Sequence, residues 1–220
     1  MERLEDLQIK GYKIYQDDEL YRFTSDSVLL SRFARVKKGD KVADFCAGSG
    51  IVGIHLYALS EKIDSVTLFE MQPELCALST KSINLNQLED KFKVVNTRVQ
   101  DIESEYAGAF SLITCNPPYM ETGRGEVNAS DKVAMCKNEI YLPLKELIKS
   151  ISYCLKFGGR TAICHRADRL CDIITEMRKN NIEPKRLQFV SGGNKEPYLL
   201  LIEGVKGGKN GIKILKETTN

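Results

Sequence analysis

The sequence predicts a doubly wound α/β domain, in which helices cover both faces of a mostly parallel sheet. Three observations lead to this prediction. Apolar strand-like runs alternate with helical patterns along most of the 220 residues, which is typical of parallel sheets. A turn of small residues, Ala47-Gly48-Ser49-Gly50, joins one apolar strand to an amphipathic helix. Near the C-terminus, two strand-like runs follow each other without a helix between them.

Each element follows from a local pattern. Pro73 suits the first position of a helix, because that position needs no backbone N–H. The runs 185–190 and 198–203 flank a Gly-containing connection and predict a terminal antiparallel hairpin, which completes a seven-stranded sheet. The other strands are predicted at 41–46, 65–70, 92–96, 110–115 and 160–165, and the helices at 25–36, 50–60, 73–86, 141–156 and 167–180.

Composition limits the classes of protein to consider. A chain of this length with 42% hydrophobic residues fits one domain, here taken as residues 1–220. It contains no run of 18 apolar residues and no signal peptide, so neither a membrane span nor export is expected. The seven cysteines form no CxxC pair and are interpreted as free thiols in a reducing cytoplasm. Only His55 and His165 are available as imidazole ligands, so no metal site is expected.

Three groups at strand ends indicate a site for an adenosine-containing ligand. Gly48 and Gly50 allow a ligand to approach the backbone closely, although Cys46 replaces the first glycine of a GxGxG pattern. Glu70 ends the next strand, where a carboxylate can accept hydrogen bonds from both ribose hydroxyls. Asp101 follows the third strand and is placed to bind the amino group of an adenine. A plain tight turn and solvated loop acids are the alternative interpretation.

The tetrapeptide Asn116-Pro117-Pro118-Tyr119 ends a further apolar strand. Both prolines hold φ near about −65° and disfavour helix in the preceding residue, so the segment is stiff and extended. The Asn116 side chain and the Pro117 backbone each offer a carbonyl oxygen that can accept from one NH2 group. Tyr119 can stack on the ring that carries this amine. The pattern therefore favours chemistry at a planar amine, against the alternative of an ordinary loop after a strand.

With these residues assembled, the chain resembles the class I S-adenosylmethionine-dependent methyltransferases that carry the (Asn/Asp)-Pro-Pro-(Tyr/Phe/Trp) motif. Within that class it is most similar to the tRNA adenine-N6 methyltransferases that modify the adenine beside the anticodon of valine tRNA. Residues 21–30 are similar to that family's N-terminal Thr-Asp-(small)-(Val/Ile)-Leu-Leu segment. The resemblance implies a Rossmann-like fold, transfer of methyl to adenine N6, and tRNA as partner, with segment 1–36 covering the site.

The resemblance also assigns the site residues. The catalytic residues would be Asn116, Pro117 and Tyr119. The cofactor-binding residues would be Asp44, Cys46, Ala47, Gly48, Gly50, Glu70, Met71, Asp101 and Asn116, and the substrate-binding residues Pro118, Tyr119, Arg124, Lys132 and Lys137. The last three are candidates on the sequence alone, because they lie in the long polar stretch 120–138; an ordinary surface loop is the alternative. The lysine-rich tail 204–220 is a second segment that can follow a phosphate backbone, with a solvated terminus as the alternative. The chain is expected to act as a monomer.

Several alternatives stay open at this point. A ribosomal-RNA or DNA amino methyltransferase fits the same motif. A protein-glutamine N5 methyltransferase uses the tetrapeptide on a side-chain amide, but its N-terminal helical domain has no counterpart before Thr24. A non-catalytic protein that binds the cofactor or RNA is the alternative from another class, although such a protein has no need of two converging amine acceptors. The net charge of only +2 means that any RNA contact depends on local patches.

Overall fold

The computed structural model of the protein describes residues 1–20, 23–118, 142–193 and 195–219. Alternating strands and helices form one large sheet with helices on both faces, so the predicted doubly wound α/β fold is confirmed. The strands are β1 (Glu2–Asp6), β2 (Lys13–Asp17), β3 (Lys41–Phe45), β4 (Ser65–Glu70), β5 (Phe92–Asn96), β6 (Phe110–Cys115), β7 (Leu155–Arg166), β8 (Ile182–Ser191), β9 (Pro197–Lys206), β10 (Lys213–Ile214) and β11 (Thr218–Thr219).

Five α-helices occur in the described part of the chain: α1 (Ser25–Phe33), α2 (Ile51–Leu59), α3 (Pro73–Leu85), α4 (Leu144–Cys154) and α5 (Leu170–Lys179). Each is one to three residues shorter at one or both ends than its pattern predicted. Pro73 does occupy the first turn of α3. None of these helices combines the length and the apolar character that crossing a lipid bilayer requires.

The strand order of the large sheet is β5-β4-β3-β6-β7-β9-β8-β10, and β11 also pairs with β8. Strands β3 to β7 run parallel to one another, whereas β9 is antiparallel to both β7 and β8. The predicted C-terminal hairpin is therefore β8-β9. The seven predicted strands form the body of the sheet, and two short strands from the tail extend it. The order reverses between β3 and β6, and ligands of such sheets bind at the carboxyl ends of the strands beside this point.

The core consists of two apolar layers, one on each face of the sheet. Alternate residues of β3 separate into them, because successive strand side chains point to opposite faces. Val42 packs with α1 and α2 in the first layer. Ala43 and Phe45 pack in the second layer with α4 and α5. Helix α2 is buried along nearly its whole length because α1 covers it from outside.

Two parts of the fold differ from the sequence prediction. The N-terminal hairpin β1-β2 was not predicted; its backbone is held by α3, since Asn86 Oδ1 accepts from Lys13 N at 3.0 Å and Ser82 Oγ accepts from Tyr15 N at 2.9 Å. Strand β7 was predicted to start at 160 but starts at 155. Gly158 and Gly159 lie within this strand, where its pairing with β6 shifts register, and they do not form a loop before it.

Candidate active site

A cleft opens at the carboxyl ends of β3, β4, β5 and β6, beside the point where the strand order reverses. Its empty volume, counted to the open mouth, is about 840 Å³. The loops that follow these four strands supply most of its wall, and the segment before the sheet and the residues before α4 supply the rest. The lining residues are Phe23, Ser27, Cys46, Ala47, Gly48, Ser49, Ile51, Val52, Phe69, Glu70, Met71, Gln72, Thr97, Arg98, Val99, Gln100, Asn116, Pro117, Pro118 and Leu142.

The turn after β3 has left-handed backbone at three alternate positions. The φ angles are 57° at Cys46, 57° at Gly48 and 86° at Gly50. A Cβ at Gly48 would meet no atom of the described residues within 4 Å, so among these residues the position offers open space to a ligand. Gly50 is instead directed to the core, where a Cβ would lie 3.0 Å from Leu68 Cδ1. The turn thus exposes backbone toward the cleft at Gly48 and packs against the sheet at Gly50.

Glu70 lies at the end of β4 and ties the glycine turn to the next strand. Its Oε2 accepts from Gly48 N at 2.9 Å, and its Oε1 accepts from Gln72 N at 2.9 Å. Burial raises the pKa of this carboxyl group, and the backbone hydrogen bonds oppose that shift. Each carboxylate oxygen has a second lone pair, so the carboxylate can accept from a diol while it holds the turn.

Asp44 lies behind the wall of the cleft and does not line it. Thr114 Oγ1 donates to Asp44 Oδ1 at 2.8 Å, and Gly53 N donates to Asp44 Oδ2 at 3.1 Å. The pKa of this carboxyl group is raised to about 7, because the effect of burial is larger than the opposing effect of these two hydrogen bonds. In the structure Asp44 joins β3 to β6 and α2, and its role toward the cofactor stays a prediction.

The part of the cleft beyond β5 is lined by Thr97 to Gln100, whereas Asp101 does not line it. The Asp101 side chain is 61% exposed, and its Oδ2 lies 3.8 Å from Arg98 Nε. The predicted contact of Asp101 with an adenine would need the side chain to turn toward the cleft. The lining residues Arg98 and Gln100 were not predicted, although their position directly after β5 marks them as candidates.

Asn116 lines the cleft at the end of β6, beside Pro117 and Pro118. Its Nδ2 donates to Ser27 Oγ at 3.1 Å. Its carbonyl oxygen Oδ1 is buried and has no hydrogen-bond partner among the residues that the structure describes. A buried acceptor without a partner costs about 1–3 kcal/mol, so this oxygen is suited to a donor that arrives with a ligand.

The segment before the sheet also contributes to the wall. Phe23 and Ser27 line the cleft, and Gln16 Oε1 accepts from Phe23 N at 3.2 Å. Neither side chain was predicted as a site residue, because the sequence shows only that residues 21–30 resemble a family segment. The predicted residues Tyr119, Arg124, Lys132 and Lys137 lie outside the described residues. Of the other predicted residues, Cys46, Ala47, Gly48, Glu70, Met71, Asn116, Pro117 and Pro118 are brought together in the cleft.

Comparison with known proteins agrees with this geometry. The model of the methyltransferase small domain family matches residues 23–139. The chain is 25% identical over 203 residues to the tRNA1(Val) (adenine(37)-N6)-methyltransferase of Haemophilus influenzae strain PittGG, covering 87% of this chain and 85% of the relative. It is 24% identical to the protein of the same name from Flavobacteriaceae bacterium strain 3519-10, covering 86% and 84%.

Solved structures share the fold. A predicted O-methyltransferase from Agrobacterium tumefaciens, Atu636, superposes with a TM-score of 0.69 at 18% identity, covering 88% of this chain and 86% of that one. Methanocaldococcus jannaschii Trm5 in complex with adenosine gives 0.67 at 16% identity, covering 94% and 57%. The family that the motifs indicated is confirmed. The chain belongs to the methyltransferase small domain family and is an S-adenosylmethionine-dependent methyltransferase.

Proposed function

We propose that the protein transfers a methyl group to the exocyclic N6 amine of an adenine in tRNA, namely adenine 37 of a valine tRNA. The relatives cited above carry this activity in their names. The observation that carries the proposal is the buried Oδ1 of Asn116, which has no hydrogen-bond partner in the described part of the chain. An acceptor in this position fits a substrate whose reacting group is an NH2.

The chemistry of adenine explains why the protein needs acceptors at this point. The N6 lone pair is delocalised into the ring, so the amine is a weak nucleophile. Acceptors on its two hydrogens favour the pyramidal form in which the lone pair is available. Asn116 Oδ1 and the Pro117 carbonyl are the two acceptors in this proposal, and Tyr119 stacks on the base. Positioning the amine in line with the methyl donor then lowers the barrier without a strong base.

The cleft fits S-adenosylmethionine. Gly48 presents backbone with open space where a side chain would be, and the Glu70 carboxylate has lone pairs free for the ribose hydroxyls. Met71 and the residues 97–100 line the part of the cleft proposed for the adenine ring. When bound there, S-adenosylmethionine supplies the sulfonium methyl group. Asp44, Gly50 and Asp101 remain proposed cofactor residues that act from outside the lining in this structure.

The substrate adenine must leave its stack to reach the cleft. An unpaired loop base costs less to extrude than a paired one, which agrees with a position beside the anticodon. Arg124, Lys132 and Lys137 are proposed to contact the RNA. We further propose that the protein acts as a single-domain monomer in the cytoplasm and needs no metal.

The substrate class can be tested with labelled S-adenosylmethionine. The protein is incubated with separate pools of tRNA, ribosomal RNA, DNA and release-factor protein, and the labelled tRNA is digested to nucleosides. Label in tRNA as N6-methyladenosine is expected. Label that enters only protein would contradict the proposal and favour the glutamine N5 alternative. Label found only in ribosomal RNA or DNA would show that this nucleic acid, and not tRNA, is the substrate.

The role of Asn116 can be tested separately from cofactor binding. Asn116→Ala removes the side-chain acceptor, and we expect methyl transfer to fall by about 100-fold or more, as for the loss of a group that acts on the reacting atoms. The affinity for S-adenosylmethionine, measured by calorimetry, should change little. An Asn116→Ala variant with wild-type turnover would refute the assignment.

A further inference from the structure

The hydrogen bond between Ser27 and Asn116 links a residue before the sheet to the end of β6. Ser27 is 3% exposed and lies in the first turn of α1. Its Oγ accepts from Asn116 Nδ2 at 3.1 Å. We propose that Ser27 is a positioning residue that holds the Asn116 side chain against α1 in the rotamer seen here, in which the carbonyl end of the amide is left for the substrate amine. This inference rests on the proposed function of the cleft.

The orientation of this amide matters because its two ends are nearly equal in shape and opposite in chemistry. The Oδ1 end accepts hydrogen bonds, whereas the Nδ2 end only donates them. An Asn116 side chain turned by 180° would direct an NH2 group at the NH2 group of adenine. Two donors facing each other cannot form a hydrogen bond. The pyramidal form of the N6 amine, in which its lone pair is available, would then no longer be favoured.

The structure holds Ser27 in place independently of Asn116. Ser27 N donates to Thr24 O at 3.1 Å at the start of the helix. One turn further on, Ser31 Oγ donates to Val28 O at 2.8 Å and lies 2.7 Å from His55 Nδ1 on α2. Helix α1 is thus attached to α2 beside the serine that faces Asn116. The backbone of Ser27 is thus held in place before a substrate arrives, as preorganisation of a site requires.

Ser27→Ala removes the hydroxyl that binds the Asn116 amide and leaves this side chain free to turn away from the rotamer seen in the structure. The lost preference corresponds to one hydrogen bond, so we expect the single-turnover rate of methyl transfer to tRNA to fall about tenfold. The dissociation constant of S-adenosylmethionine should stay within about twofold, because Ser27 acts on the substrate side. Ser31→Ala is the matched control, since it removes a buried hydrogen bond from the same helix without touching Asn116. Its transfer rate should fall clearly less than that of Ser27→Ala, because the backbone of α1 and its packing on α2 still hold Ser27.

A readout without turnover uses protein labelled with ¹⁵N in its asparagine side chains. The Asn116 amide signal is assigned by its absence in Asn116→Ala. In Ser27→Ala the Nδ2 protons should move upfield and exchange faster with water, whereas Ser31→Ala should leave this signal in place. Circular dichroism and thermal unfolding establish that each variant is folded before either readout is interpreted.

Three outcomes would overturn the inference: a wild-type transfer rate in Ser27→Ala, an unchanged Asn116 amide signal in that variant, or an equal loss of rate in Ser31→Ala. The last would mean that the placement of α1, and not the orientation of the amide, sets the rate. A wild-type protein that methylates no tRNA would instead refute the proposed function. The amide signal would still decide whether Ser27 orients Asn116, so the two failures are distinguishable.

Discussion

Cys46 takes a backbone conformation that glycine adopts more easily. Its φ of 57° costs an L-residue roughly 1–2 kcal/mol, yet the turn after β3 keeps left-handed backbone at all three positions of the pattern. The sequence shows that a side chain stands at the first position, but it does not show whether the turn survives there. The structure shows that it does, with the Cys46 side chain half-buried against the second core layer.

Glu70 and Asp101 differ in how the structure presents them, and this difference predicts their effects on cofactor affinity. Glu70 lines the cleft and holds Gly48 N, whereas Asp101 is exposed beside Arg98. Glu70→Ala removes charged hydrogen bonds of about 1.5–3 kcal/mol, so the dissociation constant of S-adenosylmethionine should rise roughly 10- to 100-fold. Asp101→Ala should raise it less than about threefold.

Calorimetric titration of the two variants measures both values. An equal loss of affinity in Asp101→Ala would establish that this carboxylate turns into the cleft when the cofactor binds. The sequence alone places both acids at strand ends, where either side chain is a candidate. It cannot give the rotamer or the pairing with Arg98, because these depend on atoms brought together by the fold. For the same reason it does not single out Ser27, whose partner is 89 residues away.

Helix α2 lies close to the sheet because Gly53 has no side chain. A Cβ at this position would be 2.6 Å from Leu68 Cδ2 and 3.2 Å from Val66 Cγ1. The close approach also brings Gly53 N within 3.1 Å of Asp44 Oδ2. One small residue thus sets the spacing between the helix and the strands whose ends form the cleft.

Gly53→Ala should therefore lower the free energy of unfolding by about 1–3 kcal/mol, the usual cost of overpacking a filled core. Gly192→Ala is the control, because a Cβ there would meet no atom within 4 Å, and its effect should be under about 0.5 kcal/mol. Urea denaturation of the two variants measures the difference. Equal stabilities would show that α2 moves away from the sheet without cost.

Strands and helices can be predicted from the sequence where neighbouring residues alone determine them. Strands β4, β5 and β6 begin and end where the sequence indicates. Strands β4 and β6 are largely buried runs between turn residues, whereas β5 is mostly half-buried or exposed and is marked by its β-branched Val94 and Val95. The hairpin β1-β2 has no such pattern: charged residues fill β1, and side chains of α3 bind the backbone of β2. Its existence depends on contacts more than 60 residues apart, which periodicity cannot show.

At the scale of the molecule, a buried ion-pair network joins the two ends of the chain. Glu203 on β9 is fully buried, and its carboxylate accepts from Arg35 after α1 and from Arg186 on β8, the latter at 3.0 Å. The Arg186 guanidinium also lies 4.5 Å from the centre of the Phe33 ring. The far end of α1 is thereby fixed to the C-terminal hairpin.

Glu203→Gln should lower the free energy of unfolding by about 3 kcal/mol, because it leaves the largely buried Arg186 guanidinium without its counter-charge. The value lies at the low end for such pairs, since Arg35 is partly solvated. Glu61→Gln is the control: its pair with Lys10 also joins distant residues, but both side chains are about half exposed, and less than about 1 kcal/mol is expected. Thermal or urea unfolding measures both, and equal losses would contradict the ranking.

The position of α1 has a consequence for biosynthesis. Residues 23–33 are translated well before Arg186 and Glu203, the groups that hold the far end of this helix. A nascent chain that ends before β9 has the glycine turn and Glu70, but it lacks the Glu203 anchor of the helix that carries Ser27. The attachment of α1 to the C-terminal hairpin is therefore completed only once β9 has been translated.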